Sequence, residues 1–244
     1  MPLLGLALAV IAVALLAAGP IGWRAGWLHY RFALSDLMPW AGYFGVAALA
    51  VSALALVFGR SRIGWPGVAV AVIAFATGAL VAYVPWHYDA MRHTVPRIND
   101  ITTDTENPPA FVTIVPLRAA EHGNPVGYPG SKFADLQKRA YPDIAPLTLA
   151  MPPAAAFDSA LGTAKEMGWT IVATDEAVGR IEASERSRWF GFTDDIVIRI
   201  AAAGSGSRID LRSSARLGRG DFGVNAARVR EYLTALRANT SGQS

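Results

Sequence analysis

The densest polar stretch in the chain is RSSARLGRGDFGVN, which puts Arg212, Ser213, Ser214, Arg216, Arg219, Asp221 and Asn225 within fourteen residues. A guanidinium can hold a carboxylate or phosphate with two parallel N–H donors. The unsatisfied N–H groups at the start of a helix favour an anion as well. A helix from about residue 225 to 236 follows the stretch, with Asn225 as its natural cap and Asp221 within reach of an arginine. A second polar stretch, TTDTENPP, offers Asp104 and Asn107. The candidate ligand-binding set is therefore Asp104, Asn107, Arg212, Arg216, Asp221 and Asn225. The same residues also suit the plainer role of arginines and turn-capping acids that tie irregular backbone together, and that role is the favoured one.

No catalytic set emerges. His29, His87 and His93 fall in or just beyond apolar segments, and His122 lies in a Gly/Pro loop. None has the spacing of a helical zinc pair, so no metal ligand and no cofactor is assigned. There is no cysteine and no G-x-S-x-G elbow. The serines Ser213 and Ser214 have no histidine nearby to act as base. Asp194 and Asp195 are adjacent on an expected strand, so their carboxylates point to opposite faces and do not converge.

The elements that must position these residues fall into two parts. Residues 3–22, 39–58 and 65–86 are apolar runs without Asp, Glu, Lys or Arg, each about as long as the roughly 20 residues a bilayer-crossing helix needs. Aromatics flank them: Trp23, Trp27 and Tyr30, Trp40 and Tyr43, Trp65, and Tyr83, Trp86 and Tyr88. The first run lacks a basic leader and exceeds a signal-peptide core, so it reads as a retained helix. Residues 1–86 carry Arg24, Arg31, Arg60 and Arg62 against Asp36, which accounts for the whole net charge of +3. The remainder is balanced, which points away from nucleic acid as a partner. Arginines near the helix ends number two on one side and four on the other, a weak lean towards a cytoplasmic domain.

Residues 87–146 are rich in Pro and Gly and read as an irregular segment wrapped across a domain, with one short strand at 111–115. Residues 147–238 read as strand, helix, four strands and a last helix, and residues 239–244 as a disordered tail. In the strands one face is apolar (Ile181, Ala183, Ile196, Ile198, Ile200, Ile209, Leu211). The other carries Arg180, Glu182, Arg186, Asp195, Arg199, Arg208, Asp210 and Arg212, the pattern of a solvated face with cross-strand ion pairs. The expected architecture is membrane-anchored α+β: three N-terminal transmembrane helices, then a mostly antiparallel sheet with two helices on one face.

Four stretches in order, PRINDITTDTENPPAF, LQKRAYPDIAPL, FGFTDDIVIRI and SRIDLRSSARLGRGDFGVNAARV, resemble the bacterial family known as domain of unknown function 1499, over about residues 95–236. The resemblance implies kinship without an activity. Relatives with signal-like or lipoprotein-like starts imply an extracytoplasmic domain, so the expected location is a bacterial inner membrane, multi-pass, with a periplasmic C-terminal domain. The expected partners are the lipid bilayer, another membrane protein or a small anionic ligand. Two alternatives stand beside this binding role: a hydrolase or transferase using Asp104, Asp194 or Asp221 on an anionic substrate, and a structural subunit docking through small-residue helix faces.

Overall fold

Three long helices made mostly of Ala, Leu, Val and Gly open the chain. In the computed structural model, which describes residues 1–241 apart from the side chain of Arg60, they are α1 (Pro2–Arg24), then α2 (Tyr30–Phe32) running through a π-helical turn (Ala33–Leu37) into α3 (Met38–Phe58), and α4 (Arg60–Thr94). Spans Pro2–Arg24, Tyr30–Phe58 and Ser61–Thr94 are long and apolar enough to cross a membrane. The π turn precedes Pro39, which has no N–H to donate to Ser35, and a widened turn accommodates that missing bond. Gly64 interrupts α4 at φ 63°, backbone that a residue with a Cβ takes only under strain.

This helical unit is packed inside out relative to a water-soluble bundle. Its interior is small: Ala9, Ala48 and Ala74 form one cluster, and Ala12, Ala41 and Val81 another. A Cβ added at Gly45 would stand 2.9 Å from the Gly78 carbonyl oxygen, so α3 and α4 touch backbone to backbone. The large apolar side chains, among them Leu3, Val46, Val57, Ile73 and Leu80, face outward. Such a surface is stable against hydrocarbon and not against water.

Internal contacts divide the chain into Met1–Thr94 with Arg188–Gly191, and Val95–Ser187 with the chain from Phe192 onward. The second unit is an antiparallel sheet of β1 (Asp100–Thr102), β2 (Leu147–Leu149), β3 (Thr170–Asp175), β4 (Arg180–Arg186), β5 (Thr193–Ala203) and β6 (Gly206–Ala215), in the order β1-β6-β5-β4-β3. Along the outer edge of β6, β1 pairs with residues 212–214 and β2 with 207–209. Helices α7 (Pro153–Glu166) and α8 (Val224–Ser241) cover the apolar face, enclosing Ile181, Ile196, Ile198, Ile209 and Leu211. Trp169 stacks on Tyr232 at 5.0 Å, and the Tyr232 hydroxyl donates to the Ala160 carbonyl.

Several expectations are corrected. The third helix does not stop at Trp86, because Asp89 pairs with Arg92 one turn on and the polar continuation stays helical to Thr94. The segment 87–146 is more regular than its prolines suggest: besides β1 it holds α5 (Ile114–Ala120) and α6 (Ser131–Ala140). Residues 111–115 form no strand; Phe111 enters the core and a helix starts at Ile114. Of the expected tail, residues 239–241 belong to α8, and 242–244 lie outside the described residues.

The charged sheet face is solvated only in part, at Arg180, Arg199 and Arg208, and its carboxylates are buried. Residues 103–126 lie across it, leaving Glu182 and Asp195 at 0 % exposure and Asp210 at 1 %. Glu182 accepts the backbone N–H groups of Val112 (3.0 Å), Thr113 (3.0 Å) and Ile114 (2.9 Å), so a β4 carboxylate holds the start of α5. Phe111, Ile114 and Val197 close an apolar patch beside it. In Glu182→Gln one donor-bearing nitrogen would face these N–H groups. We expect the full-length chain in detergent to lose about 3 kcal/mol of stability, the scale for breaking a buried charged contact. Hydrogen exchange should show amides 112–114 losing protection while those of β5 keep theirs.

Candidate functional site

The six residues singled out in the sequence do not converge on one site, and of them only Asp221 and Asn225 bond to each other directly. Asp104 caps its own turn, Oδ1 accepting the N–H groups of Glu106 (3.1 Å) and Asn107 (2.9 Å). Its Oδ2 accepts from Arg199 (3.1 Å) and Arg208 (2.8 Å), which also hold Asp210. The Asn107 side chain is exposed. Arg212 makes a two-pronged pair with Asp100 (2.9 and 2.7 Å), and its guanidinium lies over the rings of Phe111 and Tyr128. Arg216 pairs with Asp195 and, at 2.6 Å, with Glu121.

The helix cap is Asp221, not Asn225. Asp221 accepts the N–H groups of Gly223 (2.9 Å) and Asn225 (2.8 Å). The Asn225 side chain turns inward and joins Ser213, Arg228 and Asp194 in a buried cluster. The sequence placed the cap one turn-residue group too late because both types cap well, and only the loop geometry chooses between them. Asp194 and Asp195 do point to opposite faces: Asp194 meets Arg228 at 2.7 Å, and Asp195 meets Arg118 at 2.9 Å. Burial pushes the Asp194 carboxyl up, against the pull of Arg228.

A cleft of about 390 Å³ opens elsewhere in the same unit. One side is the run into β1, with Arg97, Asn99 and Asp100. The other is the loop between α5 and α6, with Asn124, Pro125, Gly127 and Pro129, continued by Phe133 of α6. Ser214, Gly218 and Arg219 complete it. None of the six sequence candidates lines it, yet their networks build it. Arg212, behind Asp100, donates to the Val126 carbonyl (2.8 Å). Arg118 donates to Ser214 and to the Pro125 carbonyl. The side-chain amides of Asn99 and Asn124 both donate to the Gly218 carbonyl at 2.8 Å. The buried Tyr128 hydroxyl has no hydrogen-bond partner among the described residues, and burial, with the Asp100 charge and against Arg212, raises its phenol to about 12.

Arg97 and Arg219 differ from the arginines of the sheet. Both are exposed, and neither makes an ion pair or hydrogen bond among the described residues. They are close neighbours through the loop, since a Cβ added at Gly220 would stand 3.4 Å from the Arg97 Cα. Arg219 belongs to the polar run read in the sequence; Arg97 appears there only as one of several charges near a helix end. No sequence signal separates a paired arginine from a free one, because the pairing depends on residues about a hundred positions away. Among the described residues no group of three or more His, Asp or Glu is placed to hold a metal ion.

Asp104 provides a pH-dependent test of the network. Burial pushes its carboxyl up, but the N–H groups of Asn107 and Glu106 and the charges of Arg208 and Arg199 outweigh that, so it lies below the ordinary value of 3.8. Its stabilisation is therefore present above about pH 4 and is lost as pH falls through the lower folded value. Asp104→Asn should cost about 2 kcal/mol at pH 7. Thermal unfolding at pH 7 and at pH 3 should show that difference shrinking in acid.

No curated protein matches the chain in sequence. Residues 100–236 match the family described as "Protein of unknown function (DUF1499)", a match that covers the sheet, most of α8 and the cleft apart from Arg97 and Asn99. The chain belongs to that family.

Proposed function

We propose that the chain is a multi-pass protein of a bacterial inner membrane whose C-terminal α+β domain stands in the periplasm and binds a small anionic ligand in the cleft flanked by Arg97 and Arg219. The observation that carries this reading is the pair of free guanidiniums. In this domain Arg118, Arg199, Arg208, Arg212, Arg216 and Arg228 all contact carboxylates. Two neighbouring arginines without such contacts leave positive charge at the mouth of a concave site. The runner-up roles have less support. Asp104, Asp194 and Asp221 are each engaged by arginines or backbone N–H groups, and Asp104 lies in a network apart from the other two. The small faces at Gly42, Gly45, Ala71, Ala74 and Gly78 are buried within the helical unit and not offered to a partner.

The periplasmic placement rests on the family resemblance and on an N-terminus inside, from which three crossings carry the domain across. The chain has no cysteine, so one introduced at Ser205, exposed in the β5–β6 turn, is a unique reporter. It should react with a membrane-impermeant thiol reagent in intact spheroplasts. Labelling seen only after lysis would put the domain in the cytoplasm.

Ligand binding is tested by thermal shift of the full-length chain in neutral detergent with phosphate, pyrophosphate and citrate. At saturating anion a rise of a few degrees is expected, since a ligand at 100 times its Kd adds about 2.7 kcal/mol. The double variant Arg97→Gln, Arg219→Gln should unfold at the wild-type temperature without anion and lose the shift with it. An undiminished shift in that variant would remove the cleft as the site.

A further inference from the structure

We infer that the anion taken by this cleft is the phosphodiester head group of an anionic phospholipid, with the glyceryl and first acyl carbons lying along the cleft wall. The inference rests on the anion-binding reading above and names the ligand class for that site. Three observations lead to it. The first is the charge at the mouth, where Arg97 and Arg219 are exposed, free and adjacent. Guanidiniums in this state suit a phosphate, whose oxygens accept from two arginines at once.

The second is the wall. Pro125, Pro129 and Phe133 give it apolar surface, and Gly127 adds none of its own side chain. A small inorganic anion makes no use of such a wall; a head group followed by hydrocarbon does, since burying each CH₂ is favourable. The volume of about 390 Å³ lies within the usual range for ligand sites and exceeds what one phosphate fills.

The third is chain length. α4 ends at Thr94, three residues before Arg97 and eight after Trp86, where the apolar run ends. At 1.5 Å per helical residue and about 3.5 Å per extended one, the chain holds Arg97 within about 25 Å of that tryptophan. The covalent tether thus limits how far one wall of the cleft can stand from the end of the apolar run, which raises the effective concentration of any lipid there.

The test uses the full-length chain in neutral detergent, titrated with short-chain dihexanoyl phosphatidylglycerol, dihexanoyl phosphatidylcholine, glycerol 1-phosphate and hexaglutamate. Phosphatidylglycerol should bind at least about tenfold more tightly than the other three. Arg97→Gln, Arg219→Gln should weaken it by about tenfold or more, the scale for losing charge-assisted hydrogen bonds. A second variant leaves the charge alone: a Cβ at Gly127 meets nothing within 4 Å, so Gly127→Trp should fold normally and fill the cleft. It should weaken phosphatidylglycerol about fivefold or more and leave glycerol 1-phosphate unchanged. Phosphatidylglycerol binding that both variants retain is binding around the helices and overturns the inference. Glycerol 1-phosphate or hexaglutamate binding as tightly as the lipid, and lost in the arginine variant, overturns the lipid and leaves the anion reading intact. No arginine-dependent binding of any of the four overturns both.

Discussion

A carboxylate with no access to water must be met by donors, and the second unit is organised around that requirement. Glu182, Asp195 and Asp210 project from three neighbouring strands onto one face of the sheet and are almost fully buried. Left uncovered they would be solvated; covered without partners, each would cost several kcal/mol. The segment 103–126 supplies both the cover and much of the donor set: backbone N–H groups to Glu182, Arg118 to Asp195, and the Thr103 hydroxyl to Asp210. The side-chain contacts of Thr103 and Arg118 accept only one position of the segment, because sliding it by a residue would withdraw them from Asp210 and Asp195. An irregular stretch with little secondary structure thereby acquires a defined path. Buried ion pairs are weak evidence for net stability, but they are strong constraints on register.

The cleft follows from the same pairing. Its walls are the run into β1 and the loop after α5, and arginines of the buried network hold both. Arg212 grips Asp100 on one side and the Val126 carbonyl on the other. Arg118 ties the Asp195 carboxylate to Ser214 and Pro125. The shape of the cleft is thus set by residues that do not face it.

What was legible in the sequence divides along physical lines. Patterns with a period reveal themselves: the three apolar runs, the alternating strands, and the faces of α7 and α8. Family kinship was legible too, from four ordered blocks. Misread were features decided by long-range partners. The alternation Arg208, Asp210, Arg212 looks the same whether water or residues 103–126 cover it. Helix α6 did leave a local trace, with Phe133, Ala134, Gln137 and Tyr141 at helical spacing, but the surrounding prolines and glycines concealed it. Among the site residues the sequence located the networks that frame the cleft and passed over its mouth, since Arg97 and Arg219 are set apart by a shared place on the cleft that only the fold assembles.

The two units solve opposite versions of one problem. In the helices many large apolar side chains face out and the interior is mainly alanine and glycine, so close backbone packing replaces a hydrophobic driving force. In the sheet unit the apolar side chains go in, and Arg118, Arg212, Arg216 and Arg228 go in with them. The buried carboxylates take up the arginines nearest them, and Arg97 and Arg219 stand apart from the unit's other surface arginines unpaired among the described residues, Arg139 and Arg237, because both line one cleft. Surface arginines without carboxylate partners are ordinary when scattered. On the proposed reading, two that share a rim above a concave wall held by buried ion pairs form a preorganised site whose shape costs a ligand little further ordering.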